Sequence, residues 1–272
     1  MSPQPARRPG RRGSGRPRSR PERDDLGGDQ IEGRRAVREL LAAGRRRVRE
    51  LWVTHEPGTS APLDEIVGLA SAARVPVRRV SPERLLDAAR TEAPQGVLAR
   101  AEPLPVADLA DLARAAPGGP PPFLVVLDGV TDPHNLGALL RTMECAGATG
   151  AVVPRHRSAR VTPAAAKAAS GAVEHVPIAV VPGVPGALTE LRRAGVWTVG
   201  LAAGAAQSVF GLPVATEPLA LVLGAEGTGL SRLARERCDV VVGIPLRGAL
   251  SSLNVAAAGA VACYEVARRR LG

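Results

Sequence analysis

The chain has 272 residues, 45% of them hydrophobic and 2% aromatic, with a formal net charge of +10. This length is enough for one large or two smaller domains, and so few aromatics leave a core of Ala, Val and Leu and exclude a base-stacking platform for single strands. The charge favours a polyanionic partner, whereas no run of 18 apolar residues offers a membrane span and no apolar segment near the N-terminus offers a secretory signal, so a cytoplasmic protein is expected.

Residues 1–30 carry eight Arg against four acidic residues and almost no apolar side chain. Such a segment cannot offset the entropy of ordering, which predicts a disordered basic tail. A phosphate-binding arm and a merely solvated tail both fit it. Residues 31–102 read as a small α/β domain. The pattern predicts helices over 36–43 and 63–72, with Val37, Leu40 and Leu41 on one face of the first. It predicts extended segments over 51–54, 75–80 and 95–99, and a helix opened by Ser81 as cap and Pro82 at its first position. Residues 103–122 hold Pro103, Pro105 and the run from Pro117 to Pro122 around a short amphipathic stretch, the composition of a linker.

From Phe123 onward strand and helix patterns alternate. Continuous apolar runs predict buried strands over 123–127, 151–153, 176–180, 196–201, 219–223 and 240–244. Helices are predicted over 135–146, 162–169, 185–194, 231–237 and 252–270. The result is an α/β domain over 123–272 with a mostly parallel sheet covered on both faces.

Several signatures are absent: G-x-G-x-x-G after a strand, G-x-x-x-x-G-K-[ST], H-E-x-x-H and G-x-S-x-G. His55, His134, His156 and His175 have no metal spacing, and Cys145, Cys238 and Cys263 read as small buried hydrophobes rather than a disulfide or zinc set. No metal is expected. Lys167 is the only lysine.

Three segments carry chemistry. The first, Val130-Thr131-Asp132-Pro133-His134-Asn135, leaves a strand and enters a helix that continues to Arg141, giving N-x-G-x-x-x-R. Asn135 could simply cap that helix, and Arg141 lies six residues on, off the apolar stripe of Leu136, Leu139, Leu140 and Met143. The second places Glu226 among glycines in Gly224-Ala225-Glu226-Gly227-Thr228-Gly229, where backbone can approach a ligand closely. The third runs from Ile244 and Pro245 to Ser252-Leu253-Asn254-Val255 and opens an Ala-rich helix, with Ser252 a possible cap.

In this order, over about 120 residues, the three segments resemble the motifs of the SpoU/TrmH (SPOUT) family of RNA ribose 2'-O-methyltransferases. The first-motif wording, Arg157-Ser158-Ala159, Ala169-Ser170-Gly171-Ala172 and Glu174-His175 are closest to the branch that methylates a guanosine of large-subunit (23S) ribosomal RNA. Glu32-Gly33, Ala36-Val37 and Gln95-Gly96-Val97 are similar to that branch's L30e-like substrate-binding domain. The resemblance covers roughly residues 31–270. Met143-Glu144-Cys145 departs from the small residues usual there, and repacking on the buried side of the helix is expected.

The resemblance implies a deep trefoil knot near the C-terminus, a homodimer, and S-adenosyl-L-methionine as cofactor. It implies Asn135, Arg141, Glu226, Ser252 and Asn254 as the catalytic polar set. It implies Leu201, Gly224, Ile244, Leu246 and Leu253 around the cofactor. Arg34, Arg35, Arg45, Arg46 and Arg47 are candidate RNA phosphate contacts. A transfer RNA guanosine, a ribosomal adenosine of the antibiotic-resistance type, and a non-catalytic RNA-binding protein stay open as alternatives.

Overall fold

A computed structural model describes residues 26–54 and 60–272. The tail expected over residues 1–30 therefore lies mostly outside the described residues. Its last part is ordered: Leu26 is buried, and β1 (Gln30–Glu32) already pairs within a sheet.

The first unit alternates short strands and helices: β1, α1 (Arg34–Ala43), β2 (Val48–Val53), α2 (Ala61–Ala72), β3 (Val77–Arg79), α3 (Pro82–Ala88) and β4 (Val97–Ala101). The strand order is β1-β4-β2-β3, with β4 antiparallel to both neighbours and β2 parallel to β3. Period-two alternation sorts the faces. Leu51, Val53, Val97 and Ala99 join the core shared with Val37, Leu40 and Leu41 of α1, while Trp52 and Leu98 point the other way onto Leu85 of α3. Ser81 caps α3, accepting from Arg84 N at 3.3 Å. The strand β1 was not anticipated; three residues are too few for a pattern to stand out.

The second unit comprises β5 (Val106–Ala107), α4 (Leu109–Leu112), β6 (Phe123–Asp128), α5 (Pro133–Cys145), β7 (Gly150–Pro154), α6 (Pro163–Ala168), β8 (Ile178–Val181), α7 (Val184–Arg193), β9 (Trp197–Leu201), β10 (Gln207–Ser208), β11 (Leu219–Gly224), α8 (Arg232–Arg237), β12 (Val240–Gly243) and α9 (Val255–Leu271). Its eight strands run in the order β10-β12-β9-β11-β6-β7-β8-β5, and every pairing is parallel. Each of the six expected strands is present within a few residues. The two-residue edge strands β5 and β10 add to them. Because β5 pairs with β8 and α4 packs on α7, the middle of the expected linker belongs to this unit.

Successive residues of the central strands feed opposite cores. Phe123, Val125 and Leu127 face Leu136, Leu139 and Ala262 of α5 and α9. Leu124 and Val126 face Leu188 and Leu191 of α7 and Ala234 of α8. Continuous apolar runs are what such two-sided burial requires. The helix pair α5 and α6 approaches so closely that a Cβ on Gly137 would lie 2.4 Å from the carbonyl oxygen of Ala165, which accounts for the glycine of the first motif. Met143 is buried as expected of the departing triplet, but Glu144 and Cys145 are exposed.

Two helix caps differ from expectation. Asp132, not Asn135, caps α5, its carboxylate accepting from His134 N at 3.3 Å and Asn135 N at 3.0 Å. Asn254, not Ser252, caps α9. In the two cases the expected cap lies three and two residues away from the position that faces the free N–H groups.

The two units share one hydrophobic cluster and are joined by a buried ion pair. The Arg46 guanidinium meets Glu174 in bidentate fashion, Nη2 to Oε1 at 2.6 Å and Nε to Oε2 at 3.0 Å. Both side chains are at most 3% exposed. The remaining Arg46 donor, Nη1, bonds the carbonyls of Gly28 and Glu102. Arg45 Nη1 bonds the Glu174 carbonyl at 2.8 Å, and Glu39 pairs with His175 at 2.9 Å. Arg46 is thus not a phosphate contact: it is buried, and four of its five donors are bonded inside the protein. Arg45 is exposed but partly engaged in the same joint.

Among the described residues no helix is long and apolar enough to cross a membrane, and no group of three or more His, Cys, Asp or Glu could hold a metal ion. The cysteines are free. Cys263 is buried, Cys238 partly so, and burial pushes both thiols up to about 12. Cys145, expected to be buried, is exposed at the end of α5, and its thiol is also raised, by residual burial and then by the Glu144 carboxylate.

Two measurements follow. Arg46→Leu should cost about 3–5 kcal/mol in denaturant unfolding, because it leaves Glu174 charged and buried, while Arg46→Leu combined with Glu174→Leu should recover much of that loss. Thiol titration of the native protein near neutral pH should find one slowly reacting group, Cys145, and three after denaturation.

Candidate active site

Parallel strands that run side by side end side by side, and ligands in such sheets sit at the carboxyl ends. Here β12, β9 and β11 are adjacent, and the chain leaving each one lines a single cavity of about 260 Å³. β9 ends in Leu201 and is followed by Ala202; β11 ends in Gly224 and is followed by the glycine-rich turn; after β12 come Ile244, Leu246, Ser252 and Leu253. All five residues expected around a cofactor, Leu201, Gly224, Ile244, Leu246 and Leu253, line this cavity. Leu230, Arg235 and Val255 line it too and were not anticipated. Arg235 sits on α8, where Arg232 and Arg237 look the same in sequence, so nothing singled it out.

The turn after β11 is built to hold Glu226 out. Ala225 and Gly229 exchange both backbone hydrogen bonds, at 3.0 and 2.9 Å. A Cβ on Gly224 would lie 2.1 Å from the Gly229 carbonyl carbon, so only glycine lets the strand end and the turn end touch. Glu226 is carried at the exposed tip.

Asn254 ties the polar set together. Its Oδ1 accepts from Ala256 N at 2.8 Å and Ala257 N at 3.3 Å, satisfying two free donors of the α9 N-terminus. With the oxygen committed to the helix, the amide nitrogen must point away from it. That Nδ2 donates to Asn135 Oδ1 at 3.1 Å and to Glu226 Oε1 at 2.5 Å. Asn135 comes from the first turn of α5, so one residue of each motif meets here. Ser252 lines the cavity. Arg141 does not join: it is exposed on α5, and its Nη1 donates to Ser170 Oγ at 3.3 Å.

Chemically, the arrangement offers an apolar slot for a flat, largely uncharged group, flanked by a carboxylate and two carboxamides that can orient a hydroxyl. Gly227 and Gly229 have positive φ with no atom within 4 Å of their Cβ positions, so backbone is open to a ligand at the turn. Asn254→Ala should cost about 1 kcal/mol in unfolding free energy from the lost cap, and Asn254→Asp should keep the cap while losing the donor that joins Asn135 to Glu226.

Comparison with known proteins agrees with this geometry. The model of the SpoU rRNA Methylase family matches residues 122–264, and that described as RNA 2'-O ribose methyltransferase substrate binding matches residues 30–107. The 23S rRNA (guanosine-2'-O-)-methyltransferase RlmB of Pseudomonas putida is 41% identical over 89% of this chain and 97% of its own length. The enzyme of the same name from Haemophilus influenzae is 40% identical, covering 90% of this chain and 99% of its own. Among solved structures, the SpoU methyltransferase AviRb from Streptomyces viridochromogenes, in complex with the cofactor AdoMet, superimposes with a TM-score of 0.75 at 29% identity, covering 89% of this chain and 90% of that one. The two-unit architecture, the three-motif site and these matches converge: the chain belongs to the SpoU rRNA methylase family.

Proposed function

We propose that this protein transfers a methyl group from S-adenosyl-L-methionine to the ribose 2'-hydroxyl of a guanosine in 23S ribosomal RNA. The observation that carries the reading is the meeting of Asn135, Glu226 and Asn254, with the chain neighbours of the last two, Ala225, Gly227, Leu253 and Val255, lining the apolar cavity. Its RNA target is supported by relatives near 40% identity, matched over nearly their full length, that bear that name. A transfer RNA guanosine or a ribosomal adenosine would keep the chemistry and change the address.

The cavity fits the cofactor: Leu201, Ile244, Leu246 and Leu253 form apolar walls for adenine, and the turn from Gly224 offers backbone donors and acceptors. When bound, S-adenosyl-L-methionine supplies an electrophilic methyl on a sulfonium. The chain's part is to orient the ribose hydroxyl, whose proton passes to the Glu226 carboxylate or to water as the oxygen attacks. Asn135, Glu226, Ser252 and Asn254 orient. Arg141 fixes the adjoining phosphate; a guanidinium is a poor proton acceptor, so its role is charge and position.

The proposed division of labour gives residues 31–102 to RNA capture and 123–272 to methyl transfer, joined through 103–122. Arg34, Arg35 and Arg47 are the RNA contacts retained from the sequence, being solvent-facing in whole or part. A homodimer belongs to the same reading. Leu246, Leu250 and Leu253 near the cavity are 37%, 81% and 44% exposed, an apolar margin that a second copy would cover. A trefoil knot belongs to the same reading, on the strength of the family match over residues 122–264.

Incubating the protein with radiolabelled S-adenosyl-L-methionine and 23S ribosomal RNA should label one 2'-O-methylguanosine. Label confined to transfer RNA or to an adenosine would move the target, and no label with cofactor bound would overturn the substrate. Arg141→Ala should lower kcat at least 100-fold while leaving cofactor affinity within twofold, and turnover near wild type would remove Arg141 from the mechanism. Sedimentation should give twice the 28.1 kDa chain mass.

A further inference from the structure

A second cleft, of about 670 Å³, opens between the two units and is lined by the start of α1 (Gly33, Arg34, Arg35, Ala36), Pro62, Gln95 and two residues of the second unit, Lys167 and Ser170. Every charged side chain lining it is cationic. Its geometry is tightly specified. Gln95, in a left-handed conformation at φ 60°, accepts from Arg34 N through Oε1 at 3.0 Å and from Arg34 Nε through its carbonyl at 3.1 Å. The stem of Lys167 lies along Gly33, and its ammonium reaches across from α6 to donate to the Ala93 carbonyl at 2.5 Å. An ammonium has three donors, so this bond leaves capacity for a ligand.

The cleft is also wired to the candidate active site. Ser170, on its wall, accepts from Arg141 Nη1, and Arg141 shares α5 with Asn135. Six residues of helix separate the two, about 9 Å along the axis. A strand lying in the cleft would thus pass Arg141 on its way to Asn135, Glu226 and Asn254.

We propose that this cleft seats a phosphodiester of the RNA strand flanking the target ribose, and that Lys167 is a direct phosphate contact. The inference rests on the RNA methyltransferase reading above and adds a binding residue from the second unit, beside Arg34 and Arg35 from the first. The competing role for Lys167 is a plain structural pin on the Ala93 carbonyl.

Lys167 is the only lysine in the chain, so amine-reactive chemistry modifies a single side chain, the one in the cleft. Acetylation of the full-length protein with an amine-reactive ester, mapped by mass spectrometry, should slow at least fivefold at Lys167 when a 23S ribosomal RNA fragment is bound. S-adenosyl-L-methionine alone should leave it unchanged. Lys167→Met should reduce the slope of log affinity against log salt by about 0.7–0.9, the release expected for one phosphate contact. It should raise KM for RNA about tenfold while kcat at saturating RNA and cofactor affinity stay within twofold. Lys167→Arg should restore the slope. Unchanged reactivity with RNA bound, or a Met variant that loses thermal stability but keeps its salt slope, overturns the proposal and leaves the pin. The two readings separate cleanly. RNA that protects Lys167 without being methylated defeats the enzymatic proposal alone; methylation with Lys167 still reactive defeats the cleft alone.

Discussion

One carboxamide holds the site together. Asn254 spends its oxygen on the free N–H groups of α9 and its nitrogen on Asn135 and Glu226. Because the amide is planar, the first commitment dictates the direction of the second. The cap that starts the last helix therefore also fixes two side chains 119 and 28 residues away in sequence. Everything else in the second unit serves to bring these three positions within reach: a parallel sheet that ends its strands at one edge, a glycine turn that offers Glu226, and Asp132, which starts α5 so that Asn135 falls in its first turn.

The division between an apolar slot and a polar rim follows from the same layout. Strand ends deliver aliphatic side chains because the strands themselves are buried on both faces. The segment 244–254 between β12 and α9 is largely exposed and carries both kinds, so it forms one wall of the slot and one side of the rim. A site of this type needs no strained acid or base in the resting protein. It needs correct placement, and the binding of substrate strengthens each orienting hydrogen bond when water is excluded.

Placement of one unit against the other depends on the joint between them. A linker rich in Pro and Gly suggests two bodies on a hinge, yet the shared hydrophobic cluster and the Arg46–Glu174 pair make the units one packed body at that contact. The motif residues Ala169–Ala172, Glu174 and His175 find their physical reason here. They build the seam against α1 rather than touching the cavity. A buried arginine that spends four of its five donors inside the protein contributes register between domains, at the cost of being unavailable to RNA.

The sequence by itself determined the alternation of strand and helix, the parallel sheet, the family and the residues gathered around the cavity, because each depends on local pattern: apolar runs, turn glycines and ordered motifs. It also supplied Asn135, Glu226 and Asn254 as a set. It could not say which of Ser252 or Asn254 caps α9, nor that Asp132 caps α5, because a cap is defined by which side chain faces the helix end, and neighbouring polar residues look alike in sequence. It could not separate Arg46 from Arg45 and Arg47, three identical residues in a row. Only the tertiary structure decided that one turns inward onto Glu174, 128 residues away, while its neighbours stay exposed. The reason is the range of the interaction. Pattern reports which face a residue occupies, but a buried charge is fixed by a partner that the chain brings near only after both units have folded.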